Sequence, residues 1–474
     1  MNIRTLLRYP VEAGDRRLLA AAVLLQVVCI AVPTLVSVKY SLLLSLGLLG
    51  FAFVLFSVER SLLALLVLTI VLPNKVLLGL VLPGGVRLQE AAILVAIVFA
   101  LIDLCYQRRL NVRLGALDVP ALAFLALVLF AVLNGLLHGH STSILLREAR
   151  YPFYYIVYFL VSNFVDEERI AKVFVPVLLA AALVVSFEYI LEFIGAINLS
   201  TGSRFVRVVR LQGLILPIAL LLIVNLYLHD PRRYGRVLLV VGALPIALAF
   251  VLTVGRGMWV ATGVGLLCSV FLHHFNQPVR QRKIWHTLML VAAVLGLIVG
   301  TSLAFQRFTG ASIGAHALER SRTFIDPQRD MMALVRLSAH LAALEAIAQH
   351  PFIGNGMGST IIYPTINIDT GLPDTWTTWA VDSVYLTLLF KMGLAGLLVF
   401  AWFYQRGLRL AYRIFKRAQL GADRAFGGGV LAVLVAMAIL GMTDGSLVNG
   451  RFTLVFAVLL GFVSIKARRL AEGS

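Results

Sequence analysis

The sequence predicts an all-α, polytopic integral membrane protein with about 14 transmembrane helices and one long loop that itself contains helix. Three observations carry that reading. The 474 residues are 60% hydrophobic and 14% charged, with a mean hydropathy of +0.93, which excludes an ordinary soluble domain. Apolar runs of about 20 residues recur along the chain, the length a helix needs to cross hydrocarbon at about 1.5 Å per residue. Lysine and arginine crowd into every second loop, as they do where loops face the cytoplasm.

In chain order the runs fall at 18–37, 40–57, 61–83, 88–105, 117–136, 150–165, 170–193, 210–228, 236–254, 257–273, 286–304, 381–403, 427–443 and 451–466. The third is interrupted by Pro73, Asn74 and Lys75 and reads as a broken helix. The polar, basic start MNIRTLLRYPVEAGDRR precedes a span with no cleavage signal, so the first helix is expected to be retained. Basic segments at the N-terminus, 106–113, 229–236, 273–283, 405–419 and the tail all fall on one side if both termini are cytoplasmic. The chain then divides into N-terminal spans over 1–304, an outer loop over 305–380 and C-terminal spans over 381–474. The net charge of +18 is explained by basic loops beside anionic membrane lipids, with no need for nucleic acid. Cys29, Cys105 and Cys268 lie in or beside apolar runs, at no spacing suited to disulfides or metal.

The outer loops are then 138–150, 194–210, the turn 254–257, the segment 305–380 and 444–451. They contain arginine but almost no lysine, and 194–210 and 305–380 have none. Guanidinium grips phosphate oxygens two at a time, so this bias suits an anionic ligand. Arg210, after Arg204 and Arg207, opens the eighth span in RVVRLQGLILP; an arginine there also snorkels to headgroups without any ligand. Arg256 sits between Gly255 and Gly257 at the start of a helix, whose N-terminus adds positive potential. Arg451 is a weaker phosphate candidate. Within the long loop, 331–350 has amphipathic helical character, stops at Pro351, and places Arg336 and His340 on one face. Leu334, Leu341 and Leu344 are assigned to its membrane- or core-facing side. His340 is a candidate general base.

Asp382 opens the twelfth span and reads either as a helix N-cap or as a catalytic base. Lys391, nine residues on, would lie about 13 Å deeper in a straight helix. It is expected to form a structural ion pair, with Glu188 and Glu192 as candidate partners. No P-loop, clustered His/Cys site or metal-spaced acidic pair is visible, so no cofactor is expected.

RVVRLQGLILP, LTVGRGMWV, RLSAHLAALEAIAQHPFIGNGMGS and DSVYLTLLFKMGLAGL occur in this order over roughly 200–400. Together they resemble the O-antigen ligase/O-antigen polymerase family of bacterial envelope glycosyltransferases. The resemblance implies a C-type glycosyltransferase architecture in the inner membrane with a periplasmic active site. It implies a glycan donor on undecaprenyl diphosphate, held by Arg210 and Arg256, with Arg336 as a further ligand and Asp382 or His340 as base. Gly255 replaces the family's serine, and Asp382 and Ser383 replace its His–Asn pair, a departure that weakens ligation. The expected activity is polymerisation of O-antigen or exopolysaccharide repeats, with an acceptor glycan and a chain-length regulator as partners. Ligation to lipid A core is the alternative, and a lipid-linked oligosaccharide flippase is the alternative of another class.

Overall fold

The computed structural model describes residues 58–73, 115–165, 167–195, 211–253, 255–276, 331–366 and 373–472, with isolated positions at 90, 93, 97 and 296. The expected spans 18–37 and 40–57, nearly all of 88–105 and of 286–304, and Arg204, Arg207 and Arg210 lie outside the described residues.

The helices follow in order as α1 Val58–Val71, α2 Asp118–Leu137, α3 Thr142–Phe153, α4 Ile156–Phe164, α5 Glu167–Phe193, α6 Ile215–His229, α7 Arg236–Leu252 and α8 Arg256–Asn276. Then come α9 Met331–Gln349, strands β1 Ile361–Ile366 and β2 Pro373–Thr378, and helices α10 Val384–Arg417, α11 Gly421–Leu440 and α12 Phe452–Glu472. Among the described residues, six helices are long and apolar enough to cross a membrane. The chain is a multi-pass α-helical membrane protein. α1 ends just before Pro73, as its missing N–H and ring demand.

The sequence reading needs correction in three places. The span expected at 150–165 is two short helices, α3 and α4, broken after Pro152. The long loop contains a two-stranded antiparallel sheet, with Ile361 opposite Thr378 and Ile366 opposite Pro373. The span expected at 381–403 is a longer helix with a sharp break at Gly393, whose φ of 63° and ψ of −165° are non-helical.

That break turns the helix steeply. Tyr385 donates its hydroxyl to Ala438 O and Tyr404 donates to Leu434 O. The two acceptors are one turn apart on α11, about 6 Å, whereas a straight helix would separate the two tyrosines by about 28 Å. Tyrosine side chains cannot bridge that difference. The first part of α10, residues 384–392, therefore runs across the end of the bundle, and the part after Gly393 runs along it.

α11 is the centre of the bundle and packs against α6, α8 and α10. Its glycines let neighbouring backbones approach, which is how helices pack tightly in lipid. A Cβ on Gly427 would lie 2.6 Å from Phe415 N. Asn225 of α6 donates Nδ2 to Ser269 Oγ of α8 at 2.8 Å, a buried side-chain hydrogen bond that ties the two helices together. α12 packs on α4 and α10, and Phe124, Tyr155, Phe400 and Phe403 form an aromatic cluster with edge and stacked contacts.

Two ends of the bundle follow from these contacts. At one, Lys466 pairs with Asp423 and the start of α11 touches His229. At the other, the starts of α8 and α10 meet the end of α11: Ser383 Oγ donates to Gly441 O, and Gly257 abuts Thr443.

Candidate active site at one end of the bundle

The segment PFIGNGMGS (351–359) fills the break in α10. Leu394 N donates to Pro351 O and Ala395 N to Phe352 O, while Asn355 N and Gly356 N donate to Phe390 O and Lys391 O. These bonds replace intrahelical ones lost at Gly393. The same segment clasps the last turns of α2, through Met357 N to Ala131 O and Asn134 Nδ2 to Gly354 O. Gly354 has φ of 73°, and a Cβ there would lie 2.5 Å from Gly393 N and Met392 N. Gly354→Ala is expected to combine left-handed strain with a backbone clash. A thermal melt in detergent is expected to show severe destabilisation or loss of the folded protein, and an unchanged melt would contradict this packing.

Lys391 is anchored beneath this segment. Its Nζ lies 2.8 Å from Glu148 Oε1 and 2.9 Å from Oε2, and donates to Ser359 O at 2.6 Å. Glu148 Oε2 also accepts from Gly358 N at 2.8 Å, and both side chains are 1% exposed. A structural ion pair was expected, but the partner assignment is corrected: it is Glu148 of α3, not Glu188 or Glu192. Nor does a straight helix carry Lys391 down into the span, because the turn at Gly393 follows directly.

Above this anchor, α9 packs its Val335, Ala339, Ala343 and Ile347 side against Ile361, Tyr363, Val381 and Phe390. Leu334, Leu341 and Leu344 are exposed, so they do not face the core. Arg336 projects from α9 to Asp382, with Nε 3.1 Å from Oδ2. Ser383, not Asp382, caps α10, because its Oγ accepts from Leu386 N. Asp382 is therefore left to pair with Arg336. Their side chains are 52% and 58% exposed, so the pair contributes only about 0–1 kcal/mol and opens at little cost.

Asp444 joins the same patch and was missed in the sequence, where 444–451 reads only as an outer loop. Burial raises its carboxyl above the usual range. The Ser446 hydrogen bond opposes that shift, Asp382 adds to it, and Arg336 opposes it. The backbone N–H of Ser446 donates to Asp444 Oδ1 at 2.7 Å. Burial likewise raises the Tyr363 phenol, with Asp382 adding to it.

Arg256 begins α8 one residue before Gly257, where a Cβ would lie 2.7 Å from Thr443 Oγ1. Glycine thus lets the Arg256 turn press against the residue before Asp444. The structure therefore brings Arg256, Arg336 and Asp382 to one end, with Asp444 among them. His340 lies one turn from Arg336, but its Nε2 is buried without a hydrogen-bond partner among the described residues. Arg451 is 4% exposed and donates Nη1 to Leu72 O at 2.6 Å, so it ties the start of α12 to the end of α1.

Fold and site together define a multi-pass helical membrane protein with a mixed arginine–carboxylate patch at one end of its bundle. A family model described as O-antigen ligase matches residues 238–401, about a third of the chain, from α7 into α10. Over that segment the chain is similar to the O-antigen ligase family. No curated protein matches the chain. Arg256, Arg336, His340 and Asp382 fall inside the matched segment; Glu148 and Asp444 fall outside it.

Proposed function

We propose that this protein transfers a glycan from undecaprenyl diphosphate to an acceptor sugar hydroxyl at the end of the bundle bearing Arg256, Arg336 and Asp382. Its principal reaction in this reading is polymerisation of O-antigen or exopolysaccharide repeats. The observation that carries the reading is the Arg336–Asp382 pair, set beside the Arg256 turn by way of Thr443 and Asp444. A diphosphate leaving group gathers negative charge as the glycosidic bond breaks. Fixed guanidinium groups at a helix N-terminus stabilise that charge without a metal. Arg210 is proposed as a further diphosphate ligand from the motif resemblance alone.

An incoming diphosphate competes with Asp382 for Arg336. Exchange of that partner frees the carboxylate to take the proton of the attacking hydroxyl. Asp382 is preferred to His340 because it is exposed, whereas His340 Nε2 is buried.

Basic segments gather at the opposite end of the bundle, beside Lys466, Arg424 and the Arg232–Arg233 turn, which supports a periplasmic site in an inner-membrane protein with cytoplasmic termini. The description of the matching family favours a second reading, ligation to lipid A core. A flippase would carry charge along an open path through the membrane, and Lys391 is instead sealed against Glu148 and Ser359.

The test is transfer by the purified protein from a defined undecaprenyl-diphosphate oligosaccharide. Longer lipid-linked chains are expected; product on lipid A would establish ligation instead, and no transfer to either acceptor would overturn the enzyme reading. In the same assay Asp382→Asn is expected to stop turnover and His340→Ala to spare it. The reverse pattern would reassign the base.

A further inference from the structure

We infer that the outward face of α9, with the tip Phe352–Ile353, is inserted among the acyl chains of the membrane leaflet at the site end of the bundle. The inward face is settled by its packing on β1 and the first part of α10. Opposite it, Leu334, Leu337, Leu341 and Leu344 form one stripe at helical spacing, each 48–54% exposed. At about 100° per residue, His340 borders the stripe on one side and Ser338, Glu345 and Gln349 on the other. A helix that is apolar on both of its broad faces does not face water on either.

Two further observations identify the occupant. First, α9 runs alongside residues 382–391 in the same direction: Arg336 meets Asp382, and Asn355 Nδ2 donates to both Ala346 O and Phe390 O. Those residues cross the end of the bundle, so α9 lies flat where the spanning helices leave the membrane, the position of an interfacial helix. Second, the apolar surface is continuous. Phe352 is 70% exposed and Ile353 48%, and Phe352 O accepts from Ala395 N. Leu394, Leu398 and Trp402 continue from there as the exposed stripe of a membrane-spanning helix. The same lipid that covers that stripe covers the tip and the leucines of α9. This conclusion holds whatever reaction the site performs.

The experiment uses the full chain in phospholipid vesicles, with its three cysteines replaced by alanine. A spin label is attached at Leu337→Cys, Leu341→Cys, Leu344→Cys or Phe352→Cys, with Glu345→Cys as the polar-side control. Collision with oxygen is compared with collision with a water-soluble nickel chelate. The oxygen-to-nickel ratio is expected to be several-fold higher at the four apolar positions than at the control. Equal ratios would overturn the inference. Exclusion of both reagents with coupling between labels would also overturn it, by showing a second copy on this face. In the otherwise native chain, Leu341→Trp adds fluorescence that acyl-brominated phospholipid is expected to quench. Quenching by aqueous iodide alone would count against insertion.

Discussion

Lys391→Met is expected to destabilise the protein by about 3–5 kcal/mol, the typical cost of leaving a buried carboxylate without its cation. The ammonium lies within 2.9 Å of both Glu148 oxygens and donates to Ser359 O, in a site where both side chains are 1% exposed. The methionine chain fills similar volume, so the loss is electrostatic and not a cavity effect. Glu148 keeps the Gly358 N–H bond, which does not neutralise its charge. Glu148→Gln alone is expected to be comparably damaging, since the ammonium is then the unpaired ion. The double variant Lys391→Met/Glu148→Gln is expected to recover much of the loss, because no isolated charge remains. Denaturant unfolding in micelles measures all three. Additive losses would show that the two side chains do not act as a pair. The consequence reaches the site: this anchor holds 351–359 in the helix break, and that segment leads directly from α9 and its Arg336.

How much of this was legible in the sequence depended on whether the signal was local. Uniform apolar runs such as 427–443 and 257–273 marked helices that the structure contains, and Pro73 and Pro351 marked helix ends. The i, i+4 spacing of Arg336 and His340 was also a local fact. Gly393 was not legible, because FKMGLAGL reads as one apolar run and nothing within it shows that another segment supplies the missing hydrogen bonds. The partner of Lys391 was missed for a similar reason. Glu188 and Glu192 lay inside an apolar run and drew attention, whereas Glu148 lay in a polar stretch 243 positions away in sequence. Asp382 and Ser383 are adjacent and either can cap a helix, so only geometry separates the cap from the carboxylate that pairs with Arg336. Asp444 was one polar residue of an outer loop, and nothing local showed that the end of α11 brings it near Asp382.

Arg256→Ala is expected to lower the rate of glycan transfer by about 10²–10³, the usual loss when one preorganised charge-stabilising group is removed from a transfer site. The magnitude rests on preorganisation. Arg256 is held by a helix that starts at that residue, and Gly257 lets the turn sit against Thr443 instead of swinging away. The positive end of α8 adds favourable potential for an anion at that turn. Arg256→Lys is expected to restore only part of the rate, since an ammonium offers a point charge and not a planar fork. Arg336→Ala is expected to cost less, because Arg336 is half exposed and spends part of its charge on Asp382. Arg232→Ala, at the opposite end of the bundle, is the control for net charge and should leave transfer unchanged. The rates are to be measured in detergent at fixed ionic strength, because salt screens an exposed guanidinium more than a sheltered one. If Arg256→Ala and Arg336→Ala both transferred at the full rate, the guanidiniums would not be stabilising the leaving diphosphate, and the patch at this end of the bundle would need another role.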